Sequence, residues 1–277
     1  MKRKRKKSLF RRFSDNKRYQ SISTVLYPLL FGLLIWLLWE EGILNKWFGT
    51  DEYTLPSPSK IASIFMDIKD KIIGNVIDTL IVAGLGLLIG SLLGYGIALL
   101  AATFPRIGSG GLAIIGAFAS IPVVALAPVM TNWTKSVSPE ASVRSMVAKI
   151  IVVSLIAAAN MGLNAYRGLS ELPAYSKDLM KTYAAKKRVE IFKLRIPNSI
   201  PYIFISLKVS VPASIMTAIV SEYFAEYITG VGRQIRENIV LAQYSTAWAY
   251  IAAACMIGII SYALLMIVQA ICLKRYH

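Results

Sequence analysis

The chain has 277 residues, 56% of them hydrophobic and only 17% charged, yet its 31 Lys and Arg against 15 Asp and Glu give a formal charge of +16. The apolar content excludes disorder, and two cysteines, Cys255 and Cys272, exclude a disulfide scaffold. The only histidine is the last residue, His277, so histidine triads and His/Cys metal clusters are excluded and no metal site is expected.

Residues 1–21 form a basic arm with ten Lys/Arg and a single acid, Asp15. Such an arm can tether nucleic acid or anionic lipid. Its place directly before an uncharged stretch, Tyr19–Trp39, favours a topological role beside a bilayer, with no nucleic-acid partner. About 20 apolar residues span a bilayer core, so 22–39 is predicted as an uncleaved first transmembrane helix. Residues 40–75 follow as an external loop. In it Leu55-Pro-Ser-Pro-Ser-Lys60 can start a helix, and Ile61, Ile64, Phe65, Ile68 and Ile72 recur at helical spacing among Asp67, Lys69 and Asp70. That pattern fits a helix lying on the membrane surface or an ordinary solvent-facing amphipathic helix.

The core, 76–277, is predicted to hold five further spans. Thr79–Pro105 is uncharged and carries Gly86, Gly90 and Gly94, four residues apart, a groove for close helix packing. The stretch from Ile107 to Lys135 contains Ile121-Pro122 and Ala127-Pro128, prolines that free backbone carbonyls and either kink the helix or line a transport path. Thr131–Met146 is expected as an outside loop in which Ser138-Pro-Glu140 starts a helix. Ile150–Tyr166, then Ile196–Ser221 (interrupted only by Lys208) and Thr246–Cys272 complete six spans. Asp78 and Glu222 are expected at helix ends. With the N-terminus inside, 21 of the 31 Lys and Arg lie on the cytoplasmic side, nine lie outside and Lys208 falls within a span. The positive-inside rule then places both termini in the cytoplasm.

One inside segment is unusual. The loop 167–197 carries eight Lys/Arg with Leu179, Met180, Tyr183, Ala184, Ile191 and Phe192 among them. This pattern suits short helices with one apolar face, either docking a soluble partner or merely fixing topology. The chain has no Gly-x4-Gly-Lys-Ser/Thr sequence, so no P-loop binds nucleotide and any ATP-driven work needs a partner.

Asp178-Leu-Met-x3-Ala184-x9-Leu194-x-Ile196-Pro197 resembles the Glu-Ala-Ala-x3-Gly-x9-Ile-x-Leu-Pro loop of bacterial ABC importer permeases. Leu55–Lys60, Ile121–Pro128 and Pro201–Lys208 are similar to segments of the nitrate/sulfonate/taurine/bicarbonate subfamily, in the same order. The resemblance implies an all-α membrane protein of about six transmembrane helices with the type I ABC importer permease fold, in the bacterial cytoplasmic membrane. It further implies a homodimer with a second permease copy, two cytoplasmic ABC ATPase subunits that use ATP and Mg, and an extracytoplasmic solute-binding protein. The permease has no catalytic residues and works by alternating access. Its solute is expected to be small and anionic or heterocyclic: a sulfonate, nitrate, bicarbonate or thiamine-pyrimidine precursor.

The resemblance assigns coupling to the ATPase to Asp178, Leu179, Met180, Tyr183, Ala184, Ile191, Phe192, Leu194, Ile196 and Pro197. Ala184 takes the place of the turning glycine, with alanine favouring a helical turn, and Pro197 restarts the fifth span. Polar side chains within spans are costly in lipid unless they face a cavity or partner. Ser120, Asn160, Asn164, Ser210, Thr217, Ser221 and Glu222 are therefore the candidates for the translocation path, against helix–helix hydrogen bonding as the alternative. Lys208 can snorkel, pair with an acid or meet an anionic solute. Glu222 and Glu226, with Arg233 and Arg236, are placed outside, where a binding protein would dock. An ATP-independent secondary transporter and a membrane scaffold are the competing functions.

Overall fold

A computed structural model describes residues 17–225 and 227–274, so most of the basic arm, Glu226 and the tail beyond Lys274 lie outside the described residues. Among the described residues all regular structure is helical. The chain divides into a unit up to Ile64 and a larger one from Phe65.

In the first unit, α1 (Lys17–Glu40) covers the predicted first span, with Leu26–Glu40 as its apolar part, shorter than the helices of the larger unit that are long and apolar enough to cross a bilayer. From Leu26 onward its apolar side chains are exposed in succession, Leu29, Leu30, Phe31, Leu33 and Leu34 among them, as expected of a helix apolar all round rather than along one stripe. A short α2 (Ile43–Phe48) is bounded by Gly42 and Gly49, both left-handed. The side chain of Asn45 donates to the Leu55 carbonyl at 2.9 Å and folds the following turn back on α2. Helix α3 (Pro58–Asp67) starts at Pro58 as expected, and its first turn receives a cap from Glu40, which accepts from the Ser59 N–H. The apolar series predicted for one surface helix is split here. The chain breaks at Ile68, and Ile72 belongs to the next helix.

The larger unit is built on four uninterrupted helices long and apolar enough to cross a bilayer: α4 (Lys69–Thr103), α7 (Ala141–Ser170), a continuous run Lys187–Tyr223 that ends in α10 (Ile196–Tyr223), and α12 (Tyr244–Leu273). A fifth apolar stretch is broken into two helices. Helices α5 (Pro105–Ala119) and α6 (Val123–Trp133) meet at Ser120-Ile-Pro122 with a 98° bend between their axes. Pro122 cannot donate the backbone bond that would continue α5, whereas Pro128 sits inside α6 without breaking it. The expected outside loop Thr131–Met146 is mostly helical. A 3₁₀ turn (Thr134–Ser136) prolongs α6, and α7 begins at Ala141, so only a few residues join them. The predicted start at Ser138-Pro-Glu140 does open α7, with the Glu140 N–H donating to Ser138 Oγ at 3.1 Å.

The glycines of α4 set the centre. A Cβ on Gly86 would meet the Val153 side chain at 2.5 Å. On Gly90 it would meet Ala157 Cβ at 2.8 Å and Ser154 Cα at 2.9 Å, and on Gly94 the Ala158 backbone. Gly84 and Gly96 face nothing within 4 Å. Helices α4 and α7 therefore run parallel in backbone contact, a packing that stabilises helices in lipid through dispersion where no hydrophobic gradient acts. Helix α10 runs antiparallel to both. Its buried face is a file of small polar residues, Ser199, Ser206, Ser210, Ser214, Thr217 and Ser221. Residues 7, 11, 15, 18 and 22 positions apart share a helix face, and this one lets Gly168 of α7 approach Ser199 Cα.

Candidate functional site

The two ends of this bundle differ in chemistry. At one end, where α4 and α7 finish, lies the basic loop. Arg167–Ser170 is still the last turn of α7, and Tyr175, with a left-handed φ of 62°, turns the chain into α8 (Ser176–Thr182). Helix α8 ends in a Schellman cap: the Ala185 N–H donates to the Met180 carbonyl at 2.9 Å and the Ala184 N–H to Lys181 at 2.8 Å. That motif puts its penultimate residue in the left-handed region, where Ala184 stands at φ 47°. Alanine is therefore at a glycine position, and the expectation that it favours a helical turn is corrected: the strain of a left-handed L-residue opposes it.

Helix α9 (Lys187–Glu190) continues through a π turn (Ile191–Arg195) into α10 without interruption. Although the helix is already under way from Lys187, Pro197 stands in the first α-helical turn of α10, as expected. It lacks the N–H that an α-helical bond to Lys193 would need, and the chain widens just before it, with the Ile196 N–H reaching Ile191.

Three polar side chains pin this loop to the bundle. Arg195 donates to the Leu169 carbonyl at 2.9 Å and pairs with Glu190 at 2.7 Å; Asn198 donates to the Gly168 carbonyl at 2.7 Å; Lys187 donates to the Thr103 carbonyl at 2.9 Å and lies over the Phe104 ring. Each of these satisfies or closes on a carbonyl at a helix end, where cations and donors are favoured. Of the ten predicted coupling residues, Met180, Ile191, Leu194, Ile196 and Pro197 are half-buried, while Asp178, Leu179, Tyr183, Ala184 and Phe192 are exposed. Tyr183 is 77%, Phe192 68% and Tyr175 85% exposed, so three aromatic side chains of this segment face outward. A shallow cavity of about 310 Å³ opens beside it, lined by Ser170, Leu172, Tyr175, Lys177, Asp178 and Lys181.

At the opposite end lies the residue that sequence reasoning treated as one path candidate among seven. Glu222 is in the last turn of α10, as expected, but its side chain is wholly buried. Its Oε2 accepts from Thr79 Oγ1 and from the Gly232 N–H, both at 2.9 Å. Lys149, only 4% exposed, reaches Thr229 Oγ1 at 3.5 Å. Lys149 thus lies inside α7, just before the uncharged stretch Ile150–Tyr166. Asp78 is corrected, since it falls well within α4 rather than at its end. The signal for Lys149 in the sequence was weak, because a lysine at the edge of an uncharged stretch reads equally as a flank.

The other path candidates do not gather. Ser120 is exposed in the α5–α6 break and donates to the Gly116 carbonyl. Asn160 and Asn164 sit half-buried one turn apart on α7, with the Asn164 side chain donating to the Asn160 carbonyl at 2.9 Å. Ser210, Thr217 and Ser221 share the buried face of α10. A cleft of about 560 Å³ between α4, α5 and α7, lined by Ile89, Leu93, Ile97, Ile115, Ile151 and Leu155, holds none of the seven. Lys208 is half-buried and has no hydrogen-bond or ion-pair partner among the described residues.

Comparison with known proteins agrees with this architecture. Residues 86–277 match the model of the family described as binding-protein-dependent transport system inner membrane component. Over 239 residues the chain is 27% identical to the formylaminopyrimidine transport permease protein ThiX of Halalkalibacterium halodurans, covering 86% of this chain and 91% of that one. It is also 27% identical over 199 residues to a probable ABC transporter permease protein of Haemophilus influenzae, covering 72% and 77%. Among solved structures it is similar to the inward-facing MetNI methionine ABC transporter (TM-score 0.57, 16% identity, 73% of this chain and 98% of that one). A second is an amino acid ABC transporter crystallised with histidines (TM-score 0.60, 17% identity, 74% and 96%).

Proposed function

The chain belongs to the binding-protein-dependent transport inner-membrane components, a multi-pass permease subunit of an ABC importer rather than an enzyme, and from that premise we propose that its loop 167–197 couples it to a cytoplasmic ATPase. The observation carrying this is the aromatic and apolar surface on α8 and the π turn: Leu179, Tyr183 and Phe192 stand exposed while Lys187, Arg195 and Asn198 fasten the same segment to the ends of α4 and α7. A loop built only to fix topology needs charge, not exposed aromatics held on a rigid base. A push on α9 passes through the π turn directly into α10, because the helix is continuous from Lys187 to Tyr223.

In this mechanism two ATPase subunits, which use ATP and Mg, draw the two loops of a permease homodimer together, and the spans rock between inward- and outward-facing states. The loop end is cytoplasmic, both termini included, and the Glu222 end faces the binding protein. The permease provides the path, with Ser120, Asn160, Asn164, Ser210, Thr217, Ser221 and Glu222 as its polar candidates. The solute is a small heterocycle or anion, with the formylaminopyrimidine class first because of the relative that aligns over nearly its whole length.

A tagged chain purified in mild detergent is expected to bring down a P-loop ATPase. Deleting 178–192, or Ala184→Glu, is expected to abolish uptake of a radiolabelled formylaminopyrimidine while membrane insertion persists. Uptake unchanged by either variant would overturn the coupling role, and uptake of sulfonate alone would overturn the solute assignment.

A further inference from the structure

Between α10 and α12 the chain forms a short surface helix, α11 (Val231–Val240), and its first turn is capped in an unusual way. An ordinary N-terminus is satisfied by its own cap residue. Here the cap is Gly230, at φ 90°, which has no side chain to offer. The three leading N–H groups are instead taken by side chains from two spans. Gly230 donates to Asn75 Oδ1 at 3.1 Å, Val231 to Thr79 Oγ1 at 3.0 Å, and Gly232 to Glu222 Oε2 at 2.9 Å. Thr79 in turn donates its hydroxyl proton to Glu222, so the two acceptors form one unit.

The fit is shaped around the carboxylate. A Cβ on Gly230 would strike the Glu222 carboxylate, and one on Gly232 would strike the Ile219 carbonyl and meet Glu222 Cβ at 3.0 Å. Helix α7 contributes Lys149, which reaches Thr229 just before the cap, and α12 contributes Tyr250, whose hydroxyl accepts from Asn75 at 3.5 Å. A carboxylate at a helix N-terminus is favoured by the exposed N–H groups and the helix dipole, more strongly away from water. Among the described residues Glu222 Oε1 is buried without a hydrogen-bond partner, and the hydrogen bonds of Oε2 are directed to this junction.

We propose that Glu222 is a positioning residue of the transport cycle: its carboxylate clamps the surface helix α11 to α4 and α10, so that contact of the solute-binding protein with α11 is transmitted to both spans. This rests on the importer function and on the Glu222 end facing that protein. Helix α11 offers the surface for such contact, since Ile239 and Val240 and the following Leu241 are exposed while its N-terminal residues Val231 and Gly232 are buried in the junction. Without the clamp α11 would hold its place only through its own face, and pressure on it would not reach α4.

Two measurements on the full chain test this. Amide exchange in lipid nanodiscs reads the clamp without any partner. Glu222→Ala and Thr79→Val are expected to raise exchange at 231–235 about tenfold or more, as loss of a hydrogen bond to a charged group implies. Glu222→Gln, which keeps shape and one acceptor, is expected to fall between them and the wild type, and Glu222→Asp to recover part of the protection. The second measurement is ATP hydrolysis by the reconstituted complex as liganded binding protein is titrated. The concentration giving half-maximal stimulation is expected to rise about tenfold in Glu222→Ala, with a smaller change in the rate at saturation. Unchanged exchange at 231–235 would overturn the clamp. Exchange rising equally in every helix, with a matching loss of thermal stability, would overturn it in favour of a purely structural carboxylate. A wild-type complex that no binding protein stimulates would instead overturn the importer function, leaving the exchange data to decide the clamp.

Discussion

The two ends of the bundle solve the same problem, the unsatisfied groups of helix termini, in opposite ways. At the Glu222 end, N–H groups of α11 are satisfied by side chains from α4 and α10, Thr79 and Glu222 buried and Asn75 half-buried, and a side chain at 230 would strike the Glu222 carboxylate while one at 232 would strike the Ile219 carbonyl. At the loop end, carbonyls of α4 and α7 are satisfied by Lys187, Arg195 and Asn198 reaching back from a segment whose own outer face is exposed. The first arrangement fixes elements to each other. The second fixes a platform and leaves its upper surface for something else. Substitutions at the first end should therefore register in how firmly α11 is held, and those at the second in capture of the ATPase.

The sharpest way to break that contrast is Gly230→Val. It adds a side chain at a positive φ and against the Glu222 carboxylate, and a loss of about 3 kcal/mol is expected from strain and overpacking together. Thermal unfolding of the detergent-solubilised chain measures it, and a melting curve like the wild type's would show that the junction is looser than described. Ala184→Gly should act in the reverse direction and more weakly. Relieving the left-handed alanine of the α8 cap should stabilise the loop by roughly 1 kcal/mol, read as slower proteolysis within 176–190 while unfolding of the spans is unchanged. The smallest expected effect is Lys181→Ala. The ion pair with Asp178 joins side chains 79% and 72% exposed at 3.2 Å, so a stability change within about 0.5 kcal/mol is expected. Any larger effect of that variant should appear only in capture of the ATPase, which would sharpen the division between the two ends.

Much of this was legible in residue order. Uncharged stretches locate the spans because a bilayer leaves so few options for a polar side chain, and Gly86, Gly90 and Gly94 announce close packing because only glycine removes the Cβ that would block it. The turning position at Ala184 was legible through the resemblance to the permease loop, but its backbone was not. Whether alanine there continues a helix or adopts a left-handed cap depends on the bonds to Met180 and Lys181, which the string does not encode. The break at Pro122 and the continuity through Pro197 divide on context as well. Both residues lack an N–H, yet one bends the chain and the other is absorbed by a π turn.

The charge of +16 and the greasy stretches between its clusters settle by themselves that this is a membrane chain with a basic loop at one end of its spans. Those are properties of single residues and their neighbours in order, so order suffices. The chemistry of Glu222 was decided only by the fold. Thr79, Glu222 and Gly232 are separated by up to 153 positions, and they acquire meaning when the packing of α4 and α10 brings them within hydrogen-bond reach and sets Lys149 of α7 against Thr229 beside them. A buried carboxylate is tolerable only beside donors that replace water, and which donors those are is a property of tertiary contact alone.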